Sequence, residues 1–438
     1  MPSPLPPSAM RDEPPVIATI VQQHAEEAAM LRHIRSVLVR APHIGLLQLA
    51  RLDERIAAHL DGLAVAGRHG TALCLAALER PAAGEVFALA VRALELRDSR
   101  LLGHALALVP ALPEAWRGLA SALGWVSAAR LQGVVSGLLG AAEPTQRALG
   151  LAACRMHRVD PGAVLPPLLD DADPLVRAAA LRAAGELGRI DLLEAARAAI
   201  ADGAAAVALQ AATACCLLGA RGRVPHELAS RAIAAGTAGA GALALALAAQ
   251  EPEAARELVQ RLAPAAQADA GQRRRLVRAV GWLGDAQFVP WLIERMAEPE
   301  LARLAGEAFC WITGAELDRL ELETLQAPAQ PGPAPEDPQE DGIALDEDDS
   351  LPWPDVPKVQ AWWQRQSAQH DAASAGQRLF EGQPPNLARA LDVLRSGTQR
   401  RRAQAARWIC VLQPGRPLFP VAAPAQRQRR WLAQEAAA

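Results

Sequence analysis

The chain has no tyrosine, one lysine (Lys358) and one asparagine (Asn386), and only fifteen aromatic residues, five Phe and ten Trp, in 438 positions. The near-absence of lysine beside 44 arginines, with a great excess of alanine, is the mark of a GC-rich coding sequence. Arginine content is therefore poor evidence for nucleic-acid binding, and a formal net charge of −3 argues against a dedicated nucleic-acid binder, which carries a basic excess. The six cysteines (Cys74, Cys154, Cys215, Cys216, Cys310, Cys410) include no CxxC pair, which argues against a zinc site or a disulfide framework and reads as small buried apolar residues. Long apolar runs are missing too. The longest uncharged stretch, AIAAGTAGAGALALALAAQ (232–250), is built of Ala and Gly and predicts a buried small-residue hairpin, with no membrane contact. The opening MPSPLPPSAMRDEPP has prolines where a signal peptide needs an apolar core, so a disordered leader over 1–15, no export signal and a cytoplasmic protein are expected. No P-loop, GxGxxG or GxSxG pattern is present.

What the chain does contain is a repeat. PTQRALGLAACRMHR (144–158), PLVRAAALRAAGELGR (174–189) and VALQAATACCLLGA (207–220) carry small and aliphatic residues at helical spacing, and recur about every 30 residues. QRRRLVRAVGWLGD (272–285) and LARLAGEAFCWITG (301–314) continue the series. Each unit divides into two helices. Asp173 before Pro174 is an N-cap followed by a first-turn proline, Leu187-Gly188 ends that helix, and Ile190 to Ile200 supplies its partner. Two such helices cannot hide their apolar faces alone, so stacking must complete the core. In this register Leu181 faces the core and Arg182 faces solvent. An acid and an arginine recur at helix entries, Asp173 with Arg177 and Asp269 with Arg273, which predicts a structural ladder in which the acid serves the helix N-terminus and the arginine reaches the next unit.

The D-P-x-V-R (173–177) and L-G-D-x-x-x-V-P-x-L (283–292) patterns resemble HEAT repeats in the short form of bilin-lyase-like proteins. The resemblance covers about 140–315 and implies an all-α fold, an α-solenoid of short HEAT-like repeats. Outside it, Val16 to Leu63 reads as longer helices forming an N-terminal cap. The expected organisation is a leader (1–15), a helical N-terminal cap (16–70), the solenoid (71–325), an acidic Pro-rich linker (326–350), and a Trp-containing strap with a basic helical module (351–438).

The strap, LPWPDVPKVQAWWQRQ (351–366), concentrates Trp353, Trp362 and Trp363 in eleven positions. Nine acids and no base lie between Glu336 and Asp355, whereas eleven arginines and two acids lie between Gly376 and Trp431. This predicts that the tryptophans anchor an acidic strap to a basic module of the same chain, with Arg400, Arg401, Arg402 and Trp408 as partner or intramolecular contacts. At least one of the three tryptophans should then be buried, against the last repeats near Trp311 or the module near Trp408. HAEEAAMLRHIR, LDERIAAHLDGLAVAG, RLAGEAFCWITG, the tryptophan block and GTQRRRAQAARW together resemble a proteobacterial family of HEAT-like proteins often encoded among genes of type VI secretion spike and effector loading. That resemblance implies an accessory or adaptor protein whose partners are spike or effector components, and it imports no enzymatic activity.

Iron-dependent hydroxylases built on HEAT repeats use several His-Glu dipeptides, and the chain has one, His226-Glu227, which cannot build that site. His24, His33, His43, His59 and His69 do not fall one helical turn apart. The acidic run DEDDSLPWPD departs from a calcium loop in its central glycine and terminal glutamate. The arginine cluster with Trp408 and Trp431 offers charge and stacking, yet reads as an ordinary amphipathic helix, so nucleic acid is not expected as a partner. The expectation is a protein-binding scaffold with no catalytic residues, metal or cofactor. The alternative is an enzyme on a HEAT frame, a metal-dependent hydroxylase or a lyase.

Overall fold

The computed structural model describes residues 16–267, 269–324, 347–374 and 377–437. The leader and most of the acidic linker lie outside them. The described residues form 22 α-helices and no strand. The first three are α1 (Ala18–Leu38), α2 (Leu46–Val65) and α3 (Gly67–Ala76). Next come α4 (Ala83–Leu96), α5 (Ser99–Leu108), α6 (Pro113–Trp125), α7 (Val134–Leu139), α8 (Pro144–His157), α9 (Leu165–Leu168), α10 (Pro174–Leu187) and α11 (Leu193–Ala198). They continue with α12 (Ala205–Leu217), α13 (Arg223–Ala234), α14 (Ala240–Ala249), α15 (Pro252–Ala266), α16 (Ala270–Leu283), α17 (Val289–Arg295) and α18 (Ala302–Thr313). After the linker stand α19 (Val356–Ser374), α20 (Leu387–Ser396), α21 (Gln399–Leu412) and α22 (Ala425–Ala437).

The punctuation is local. Asp173 caps α10 by accepting from the Leu175 amide at 2.8 Å, and Pro174 occupies the first turn, where no amide is needed. Gly188, Gly284 and Gly314 end α10, α16 and α18 in the left-handed conformation that a side chain resists. Arg97 and Arg158 take the same conformation after α4 and α8 without being glycine.

From α4 onward the even-numbered helices pack each on the next: α4 on α6, then α8, α10, α12, α14, α16 and α18. The intervening odd-numbered helices cover this row as a second layer. Small residues set the spacing. A Cβ on Gly185 would stand 2.6 Å from the Ala214 Cα, and one on Gly281 would stand 3.0 Å from the Ala308 Cβ, so α10 meets α12 and α16 meets α18 almost backbone to backbone. The row encloses one long apolar core running from Leu151 to Leu322. A second core joins the cap to α4–α8. Leu181 is fully buried in the long core, whereas half of the Arg182 side chain is exposed and pairs with Glu186 at 2.7 Å. The uncharged stretch 232–250 spans the end of α13, a turn and α14, and Leu243 to Ala249 are all buried. No helix among the described residues is long and apolar enough to cross a membrane.

Arginine rungs tie successive units. Arg147 bonds the carbonyls of Ala141 and Ala142 and forks onto Asp171 at 2.9 and 2.8 Å; one repeat later Arg177 bonds the carbonyls of Asp171 and Ala172 and forks onto Asp202 at 3.0 and 3.3 Å. Asp173 is therefore a cap, and the rung acceptor is its neighbour Asp171. Asp269 likewise caps α16 through the Gln272 amide at 2.7 Å, while Arg273 meets Glu300 only at 3.7 Å in the open.

Candidate interaction site: the strap and the C-terminal module

The strap begins as extended chain and lies beside the segment that leaves α18. The Thr324 amide donates to the Trp353 carbonyl and the Asp355 amide to the Leu322 carbonyl, both at 2.8 Å, so Glu323 and Pro354 face each other as a single antiparallel bridge. Prolines at 352, 354 and 357 hold this backbone extended and then open α19. Val359 and Trp363 are buried in the long core. Both Trp362 and Trp363 pack edge-on around Phe309 of α18, with ring centroids 5.7 and 6.5 Å away. Trp353 is partly exposed, and the Arg303 guanidinium lies 4.8 Å over its ring.

The module then runs back along one edge of the row, at the C-terminal ends of the even-numbered helices. The Glu381 amide donates to Trp311 O at 2.7 Å at the end of α18, and the Leu379 amide to Gly284 O at 2.7 Å at the end of α16. Arg378 Nη1 donates to Leu247 O at 2.5 Å at the end of α14. Arg221, just past α12, donates to Val411 O at 2.6 Å. The Leu418 amide donates to Glu186 O at 2.8 Å near the end of α10, and Arg427 donates to Gly124 O and Val126 O at 2.8 Å at the end of α6. Beyond these the module reaches the cap. The Gln399 amide donates to Ile44 O at 2.7 Å, and the Ala425 amide to Asp53 Oδ2 at 2.7 Å. Asp53 is held in turn by Arg35 at 2.6 Å.

Trp408 is buried in the core of this module, tilted against Phe380 at 6.4 Å and under the Arg378 guanidinium. The three consecutive arginines have three different surroundings. Arg400 donates to Glu307 at 2.8 Å and to Arg40 O at 3.1 Å, and it also meets the Glu347 carbonyl. It thereby joins the cap, the last repeat and the linker's end. Arg401 reaches Glu381 at 3.2 Å. Arg402 is wholly enclosed and pairs with no acid among the described residues; it donates to Leu394 O at 2.8 Å, Gln428 Oε1 at 2.5 Å and Gln399 Oε1.

Burial dominates the electrostatics. It pushes the Glu381 carboxyl up to about 7 against the pull of Arg401 and Arg389, and it raises Glu307 despite Arg400. Arg402, Arg378 and Arg427 are each pushed down to about 10. Of the acidic linker, the described residues include Glu347, which pairs with Arg278 at 2.5 Å, and Asp348, which pairs with Arg274 at 2.5 Å. These two arginines belong to α16, so linker acids engage the array as well as Arg400 of the module.

Sequence spacing missed two features. His24 and His59 meet across α1 and α2 with their Nδ1 atoms 3.1 Å apart, and Arg378 and Arg427 cap helix ends far away in sequence. Both depend on tertiary placement, for which the sequence has no periodic signal. The six cysteines are buried and burial raises every thiol, Cys310 and Cys410 to about 12. Among the described residues no three His, Cys, Asp or Glu side chains are grouped to hold a metal. No family model, curated protein or solved structure matches the chain.

Proposed function

We propose that the chain is a HEAT-like α-solenoid acting as a protein-binding scaffold or adaptor, with its own C-terminal module seated along the helix-end edge. The observation that carries this reading is the row from α4 to α18, tied by repeated arginine rungs. A stacked array of this kind presents a long, rigid surface without needing a catalytic constellation. Because the module fills one edge, partners meet the covering layer or the cap, where Ile17, Ile20 and Met30 of the α1 end and Leu47 and Val65 of α2 are exposed. On the resemblance to type VI secretion accessory proteins, the partner class is a spike or effector-loading component and the setting is cytoplasmic. The strap and the arginines of α21 serve this scaffold as internal contacts in our reading, holding the module in place.

The test is direct binding of the purified full chain to separately purified spike and effector components encoded beside its gene. Saturable binding of one component supports the scaffold. Failure of all of them, together with stoichiometric iron in the purified protein, would replace it with the HEAT-frame enzyme.

A further inference from the structure

The helix α1 carries apolar residues on two faces, and the fold uses one of them. Val21, Ala28 and Leu31 turn inward and are buried, whereas Val16, just before the helix, and Ile20, Met30 and Ile34 on it are 41%, 47%, 58% and 36% exposed. Gln23, exposed, and Glu27, partly exposed, complete the outer row, whose members follow one another at steps of 4, 3, 4, 3 and 4 residues. That alternation is the a/d seam of a coiled coil, lying on the side of the helix away from its own core.

The row also reads the same in both directions. Val16 and Ile34, Ile20 and Met30, and Gln23 and Glu27 are each equidistant from position 25. In a two-fold pair, residue i meets residue j while j meets i, so a surface must be complementary to itself. Two copies of this row packed antiparallel, with the axis level with residue 25, set every a position against a d position: Val16 on Ile34 and Ile20 on Met30, at both ends of the seam. The middle layer places the Gln23 amide of each copy against the Glu27 carboxylate of the other, donor on acceptor. A parallel pair would instead stack Glu27 on Glu27 in the centre of the seam, a like-charge contact that selects against it. Glu26, which accepts from Gln22 at 2.8 Å, flanks the axis on the exposed side, where ions screen it.

We propose that α1 is a self-association surface whose occupant is α1 of a second copy of this chain, packed antiparallel about a two-fold axis level with residue 25. From Val16 to Ile34 the seam runs for about 27 Å at the helical rise, a little under three heptads. Its buried area therefore falls at the small end for specific interfaces, and the dimer is weak and concentration-dependent. The proposal goes beyond the adaptor reading and stands without it. A pair built on α1 leaves the covering layer, and the exposed Leu47 and Val65 of α2, to other proteins.

The test is sedimentation equilibrium of the full chain at protein concentrations up to about 500 μM, which reaches the weak end of specific association. Wild type should pass reversibly from monomer to dimer. Ile20→Asp should raise the dissociation constant at least ten-fold, whereas Val65→Asp, which charges an equally apolar exposed site off the seam, should leave it unchanged. Cross-linking fixes the orientation and serves also if the Asp variant fails to fold. The six native cysteines are buried, so mild oxidation with diamide reports on introduced thiols, with wild type as the control. The Ile20→Cys/Met30→Cys double variant should form covalent dimers, and either single variant should not. A wild type that stays monomeric throughout, a dimer that Ile20→Asp leaves intact, or covalent dimers of the Ile20→Cys single variant, which mark a parallel seam, would each overturn the proposal.

Discussion

Arg402 shows how this chain uses its arginines. A guanidinium with no exposed surface, and no acid beside it among the described residues, is tolerable because Leu394 O, Gln399 and Gln428 together take its donors, and the two glutamines pass the contact on to Val39, Val421 and Ala423. Arg402→Ala strands these acceptors in a dry interior and should cost about 3 kcal/mol or more, read as a lowered urea midpoint. In the array the contrast lies between neighbours. Leu181→Ala should cost about 2–5 kcal/mol through the cavity it opens, and Arg182→Ala at most about 1 kcal/mol, because its own side chain is half-exposed and Glu186 keeps its pair with Arg155. Equal sensitivity at both positions would contradict the register. Glu381 gives a pH signature. Its carboxyl titrates near 7 in the folded protein and near 4.5 when free, so the unfolded chain releases this proton first as pH rises. The stability it contributes is present below about pH 4.5 and is lost as pH climbs through 7. Glu381→Gln should therefore flatten the fall in unfolding free energy over that window. A variant that keeps the wild-type slope would assign the dependence to other groups.

At the scale of elements, the glycines that end the array helices do two jobs. Gly284 takes a positive φ to close α16, and a Cβ there would stand 2.0 Å from the Leu379 carbonyl, so the close approach of the module needs the same residue as the helix cap. Gly284→Ala should loosen residues 377–383 as well as costing stability, which limited proteolysis would show as earlier cleavage there. The strap makes a parallel case. Replacing both Trp362 and Trp363 with alanine removes the rings packed around Phe309 and should speed cleavage between 365 and 400; unchanged cleavage would mean that the rings do not hold the module. These elements differ in how much of them could be read beforehand. Asp173-Pro174 and Leu187-Gly188 are local signals, complete within a turn of helix, so helix limits and the burial of Leu181 followed directly from the residues. The route of the module did not. It rests on single contacts between residues hundreds of positions apart, such as Arg427 with Gly124 O, and an arginine that will meet a backbone carbonyl has no complementary side chain to announce it. Charge counting pointed toward linker acids for the same reason, since only side chains enter such a count. Arg378 and Arg427 went to backbone carbonyls, and Arg402 to one carbonyl and two glutamine side chains.

At the scale of the molecule, one C-terminal segment touches the cap, α6, α10, α14, α16 and α18, and Arg400 alone bridges Arg40 O and Glu307. A repeat array with free ends opens unit by unit, because each unit contacts only its neighbours. Here the module adds contacts between distant units and couples their opening, so the array and the module should unfold together. Hydrogen exchange tests this most directly, because the bonds in question are made by backbone amides: Leu379, Glu381, Gln399 and Leu418 donate to the array and the cap. In native exchange of the full chain, peptides covering 377–383, 399–412 and 416–419 should be protected to the same extent as 174–187 of α10 and should lose protection with it as denaturant rises. Exchange of those three peptides orders of magnitude faster than α10, with the array still protected, would contradict the account.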